Sequence, residues 1–177
     1  MSQIHIFGLN HFHQNLEPGC LTPAAIADEQ QQKAGLRATL CEIIAKNRVE
    51  LIAEEARLDR PCLGRILAEE HGIDYANITM PIEEREKHGV GTPEYNREQA
   101  TRMAAYKAFE QYMFGRARAH GSRAILIMCG RRHFRALEKL FKDAGDDVRT
   151  YDINDYPWYR GRPIEEAEGV TGYDKEE

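Results

Sequence analysis

The chain has four cysteines in 177 residues, Cys20, Cys41, Cys62 and Cys129, and no two of them stand as C-x-x-C. That spacing excludes a zinc knuckle and a thioredoxin-type redox pair, and it predicts reduced thiols, with Cys129 buried in a strand. Glycine (14) and proline (7) are too sparse for a collagenous or low-complexity chain. No run approaches the ~18 consecutive apolar residues of a membrane-spanning helix, so no membrane association is expected. Met1 to Phe7 lacks the basic stretch and apolar run of a secretory leader, which makes a cytoplasmic protein the expectation. Positive charge is also in deficit: 24 Lys and Arg against 29 Asp and Glu leave a net charge of -5. Neutralising a phosphate backbone needs a concentrated basic face, so broad nucleic-acid binding is not expected, although local basic clusters remain open.

The residues that are present suit a folded chain: 42% are hydrophobic and 30% charged, enough for one sizeable core. Residues 1–155 read as a single α/β domain, and 156–177 as a tail that is first aromatic and then acidic. The tail is expected either to wrap the surface through its aromatics or to be partly disordered. Ile4 to Phe7 forms a first strand, followed by a polar loop over Leu9 to Gly19. Thr22-Pro23 starts a helix, with the threonine as N-cap and the proline where its missing N–H costs nothing, and that helix stops near Asn47. Val49 to Ala53 is a second strand running directly into Glu54-Glu55, Arg60 to His71 a short helix, and Tyr75 to Met80 a third strand.

Glu83 to Glu86 reads as a charged turn or helical turn, and Pro93 to His120 as one long helix whose Met103, Tyr106, Phe109, Tyr112 and Met113 serve the core. Ala124 to Cys129 is apolar on both faces, the mark of a central parallel strand. An amphipathic helix through Phe134, Leu137 and Phe141 then leads to a last strand from Val148 to Ile153. Strands alternating with helices predict a three-layer α/β sandwich, with a mostly parallel sheet of about five strands flanked by helices. Ligands of such sheets bind outside the carboxyl ends of the strands, where the strand order reverses.

Two segments repeat one pattern, G-x-x-H-F: Gly8-Leu9-Asn10-His11-Phe12 and Gly130-Arg131-Arg132-His133-Phe134, each directly after an apolar strand. The glycine is expected to give a sharp exit without a Cβ, and the imidazole three residues on to turn back over the sheet edge. With strands ordered 3-2-1-4-5, the first and fourth are neighbours and both histidines face one crevice. His11, His133 and a carboxylate from Glu54 or Glu55 then form a candidate divalent-metal site with open positions. Glu54 and Glu55 point to opposite faces if the strand continues through them, so at most one serves.

The two G-x-x-H motifs and the glutamate after the second strand resemble the TraB/PrgY and Tiki group and its distant relatives, the erythromycin esterase-like and ChaN-like proteins. The order of Gly8 with His11, Glu54 or Glu55, and Gly130 with His133 along the chain is similar to theirs. The resemblance covers the layout of roughly the first 155 residues, but only these few positions are specific. It implies a metal-dependent hydrolase acting on peptide or ester bonds of a small-molecule or peptide substrate, with histidines and glutamate around Mn, Co or Zn. The chain departs from that group in its shorter length, its lack of a membrane segment and the Arg131-Arg132 pair inside the second motif.

Those arginines open a different class of function. Cations in the first turn of a helix oppose its dipole, so a compensating group is expected: Glu54, Glu55 or Glu83, or a bound anion. Arg131 and Arg132 are therefore candidate anion-binding residues of a non-catalytic module that senses an anionic small molecule or nucleotide. A third alternative is metal-free hydrolysis, with a histidine as general base oriented by Glu54 or Glu55. Arg85, just past the third strand, is a candidate charge partner or substrate clamp. His13, Gln14 and Asp152 are secondary candidates by position, whereas His5, His71, His88 and His120 read as structural. The aromatic Tyr156 to Tyr159 gives a homo-oligomer contact as a residual option.

Overall fold

The structure, a computed structural model, describes residues 1–9, 23–56, 62–165 and 171–174. Five parallel strands form the main sheet: β1 (Gln3–Leu9), β2 (Leu51–Glu54), β3 (Asp74–Asn77), β4 (Ala124–Gly130) and β5 (Asp147–Asp152). Between them run α1 (Pro23–Asn47), α2 (Leu63–His71), α3 (Ile82–Lys87), α4 (Pro93–Arg97), α5 (Gln99–Arg118) and α6 (Arg131–Asp143). A 3-10 turn (Ile153–Asp155) follows β5, and β6 (Arg162–Glu165) pairs antiparallel with β7 (Thr171–Asp174). The architecture is a three-layer α/β sandwich. No helix among the described residues is long and apolar enough to cross a membrane.

The strand order is β3-β2-β4-β1-β5, which corrects the expected 3-2-1-4-5. All seven residues of β4 are buried, so both of its faces and both of its edges are covered, and the middle of the sheet is the place that meets that demand. β1 is displaced outward by one position. It still adjoins β4, with Gly8 opposite Cys129 and Leu9 opposite Gly130.

Right-handed crossovers dictate the layers. The chain steps one way from β1 to β2 to β3, which lays α1 and α2 on one face. It steps back through β4 to β5, which lays α5 and α6 on the other. Alternation within the strands matches: Phe7, Ile52, Leu126 and Met128 pack against Leu36, Leu40 and Leu67. Ile6, Ala53, Ile127 and Cys129 pack against Met113, Leu137 and Phe141 on the far side. β1 and β4 therefore send their helices to opposite faces, and the switch point lies between their carboxyl ends.

Three boundaries differ from the sequence expectations. The long helix is interrupted at Glu98, whose backbone is extended (φ -104°, ψ 119°), so that Glu98 caps α5 and accepts a hydrogen bond from the Thr101 hydroxyl. Thr92 caps α4 in turn, its hydroxyl accepting from the Tyr95 N–H. Glu83 lies in a short helix, the second of the two forms expected there, whereas β3 begins and ends earlier than expected.

The aromatic segment after β5 turns inward. Tyr156 stacks on Phe7, and the Trp158 ring lies on Gly35 of α1 while its indole N–H donates to the Thr39 hydroxyl. Arg160 pairs with Asp28, and the Gln32 amide, on the same helix, donates to the Gly161 carbonyl. The aromatics that offered an oligomer contact thus cover the chain's own first helix.

Candidate functional site

Alternation decides between the two glutamates at the end of β2. Glu54 points towards α2, is fully buried, and accepts a hydrogen bond from the Tyr75 hydroxyl at 3.3 Å. Gly64 leaves it room, since a Cβ there would come within 2.5 Å of its carboxylate. Glu55 points to the opposite face. One carboxylate oxygen accepts the Gly130 N–H at 2.9 Å, extending the ladder between β2 and β4 through a side chain. Its other oxygen lies 3.6 Å from His133 Nε2.

His133 sits in the first turn of α6 with its side chain only 8% exposed. Its Nδ1 meets the Glu110 carboxylate at 3.3 Å, so the imidazole bridges carboxylates from β2 and α5. Tyr106 and Phe109 present their edges to the ring, with centroids 5.8 and 6.5 Å away. Burial raises the Glu110 carboxyl above its usual range, and the hydrogen bond from His133 opposes that shift. The pair is the arrangement by which a carboxylate orients an imidazole and selects its tautomer.

Around this bridge opens a cleft of 310 Å³, lined by Glu55, Arg85, Tyr95, Tyr106, Phe109 and the whole stretch Gly130 to His133. It lies at the carboxyl edge of the sheet, where the topology directs ligands. Arg85 reaches it from α3, with its Nε donating to the Met80 carbonyl and its guanidinium 5.5 Å from the Phe109 ring centre. Arg131 pairs with Asp152 at 3.3 Å, and Arg132 donates to the Tyr106 hydroxyl at 3.4 Å. Arg131 at the start of α6 thus finds a charge partner in Asp152, a residue expected as a secondary ligand and not among the compensating groups expected for it. Gly130 is the N-cap of α6, and the first turn of that helix, Arg131 to His133, lines the cleft.

Of the expected site residues, the fold brings together Glu55, Arg85, Arg131, Arg132 and His133, and it sets Glu54 on the other side of the sheet. His11, His13 and Gln14 lie outside the described residues. Among the described residues no three His, Cys, Asp or Glu side chains are placed to hold a metal ion. Glu55 and His133 supply two donors, and Glu110 behind Nδ1 is the kind of outer carboxylate that commonly supports a metal-bound imidazole.

Neither motif glycine has a backbone conformation reserved to glycine. Gly130 has φ -58° and ψ 141°, which any residue adopts, and Gly8 does not have positive φ. Gly8 instead admits the Phe134 ring, to which a Cβ would approach within 2.9 Å. The two motifs therefore interlock, the glycine of the first seating the phenylalanine of the second.

Sequence reasoning missed Tyr95, Glu110 and the role of Tyr106 and Phe109, which were assigned wholly to the core. Met103, assigned with them, is 58% exposed. The signal was present in the spacing 106, 109, 110, which places one face of a helix against the cleft and His133. No family model, curated protein or solved structure matches the chain.

Proposed function

We propose that the protein binds a small anionic molecule, through a phosphate or carboxylate group, in the cleft at the start of α6. The observation that carries this reading is the convergence of Arg85, Arg131 and Arg132, from two separate helices, on one cavity. Guanidinium groups hold such anions through paired, directional hydrogen bonds. Inorganic phosphate titrated calorimetrically into the protein tests it. Arg132 is exposed and its hydrogen bond to the Tyr106 hydroxyl is long, so Arg132→Ala should leave stability nearly unchanged. It should weaken phosphate binding about tenfold or more, since a hydrogen bond between charged groups contributes about 1.5–3 kcal/mol. Absence of phosphate and acetate binding by the wild type would contradict the reading.

A second reading, hydrolysis of an ester of that anion, is favoured by the position of His133 between two carboxylates. Glu110 holds Nδ1–H, leaving Nε2 to accept a proton from water at the rim of the cleft, with Glu55 beside it. The resemblance adds a divalent metal, Mn, Co or Zn. His133 and Glu55 would hold it together with a donor from residues 10–22, of which His11 is the candidate, and it would lower the pKa of a bound water. Hydrolysis of 4-nitrophenyl phosphate and 4-nitrophenyl acetate, measured with and without chelator, separates the two. Activity lost in His133→Asn and indifferent to chelator fits His133 as base. Activity lost to chelator, with metal content lost in the His11→Ala/His133→Ala double variant, fits the metal. No activity under either condition leaves the binding role alone.

A further inference from the structure

The wall that α5 forms does not end at Tyr106. On its outer side lies a second, more open groove of 670 Å³, between Met103, Ala104 and Lys107 of α5 and Arg132 of α6. Tyr106 and Arg132 line both spaces, so the groove continues the arginine cleft and is not a separate site. Its walls are mostly apolar, and Met103 is one of very few large hydrophobic side chains left exposed among the described residues. Exposed apolar surface next to a polar pocket marks a place where a ligand is covered.

The composition of the groove says what kind of group it fits. A thioether, a tyrosine ring and two cations on flexible stems are the contacts an aromatic ring makes best, through sulfur–aromatic, ring–ring and cation–π interactions. Within the cleft, Arg131 is shared with Asp152, yet Arg85 and Arg132 alone carry the two charges that match the dianion of a phosphate monoester and exceed what one monoanionic carboxylate can use. Resting on the anion-cleft reading above, we infer that the ligand is an aryl phosphate monoester. Its phosphate is held by Arg85, Arg131 and Arg132, and its ring lies along Met103 and Ala104.

Calorimetric titration with inorganic phosphate and with 2-naphthyl phosphate tests this on the full chain. The inference predicts that 2-naphthyl phosphate binds at least about tenfold more tightly than inorganic phosphate, from the burial of its ring. Met103→Glu and Ala104→Glu, both at exposed positions, should remove that advantage and leave inorganic phosphate binding unchanged. Equal affinity for the two probes in the wild type, or an advantage that survives both substitutions, overturns the groove while the cleft stands. Failure of both probes to bind overturns the cleft and the groove together. Binding of 2-naphthyl phosphate without binding of inorganic phosphate overturns the cleft reading and with it the inference.

Discussion

His5 is a histidine enclosed by its own strand. It is 1% exposed, its Nδ1 meets the Tyr151 hydroxyl at 3.1 Å, and its Nε2 has no hydrogen-bond partner among the described residues. Burial, and then the Arg149 guanidinium, hold its pKa below the ordinary value, with Asp147 opposing them. A base whose pKa is lower in the fold than in the unfolded chain makes the folded state the poorer proton acceptor. Its stabilising contribution is therefore complete above the ordinary value of about 6.5 and is lost as pH falls through the depressed one. Denaturant unfolding of the wild type should show stability falling with acidity below that point, and His5→Gln should remove that part of the slope. Identical pH profiles for the two proteins would contradict this account of His5. At the same scale, the choice between Glu54 and Glu55 was half legible. Strand alternation says that they diverge, but which face holds the cleft depends on the side to which β4 sends its helix, and that is a property of the sheet. The histidine of the second motif was legible because an apolar strand and a glycine frame it. The reason for Gly8 was not, since the ring it accommodates lies 126 residues further along the chain.

Elements show the same division between local and distant causes. The apolar runs of β1, β2 and β4 and the amphipathic pattern of α6 are local, and the sequence states them. The interruption between α4 and α5 was hidden because no proline or glycine marks it; Thr92 and Glu98 act as caps only once the chain bends back over the cleft. The join between α1 and the segment after β5 was equally hidden, because it rests on one ring lying on one glycine. A Cβ on Gly35 would come within 2.6 Å of the Trp158 ring. Gly35→Ala should therefore displace the indole, costing about 1–3 kcal/mol as overpacking does, offset by up to about 1 kcal/mol of helix propensity. Trp158 is the only tryptophan, so its emission reports directly: a shift to longer wavelength with lowered stability is expected. Unchanged emission with raised stability would show that the ring does not rest on α1.

For the whole molecule, a formal charge of -5 coexists with a cleft in which arginines from two helices converge, so attraction of an anion is local and short-ranged. Binding at the cleft should weaken as ionic strength rises, because partly exposed guanidinium groups are screened by salt. The three-layer sandwich was legible from alternation of elements, but the exchange of β1 and β4 in the sheet was not. Both orders place the two strands side by side, and only the observed one sets β4 between β1 and β2, where Glu55 can accept from Gly130. The site is thus a product of strand order as much as of motif.

The most direct test of the central claim is a phosphate titration of isotopically labelled protein followed through its backbone amide resonances. The account predicts saturable shifts centred on the N–H groups of Arg131, Arg132 and His133, with the amides around Leu40 and Leu67 on the opposite face unmoved. Saturable shifts centred elsewhere, or none at phosphate concentrations in the millimolar range, would contradict it.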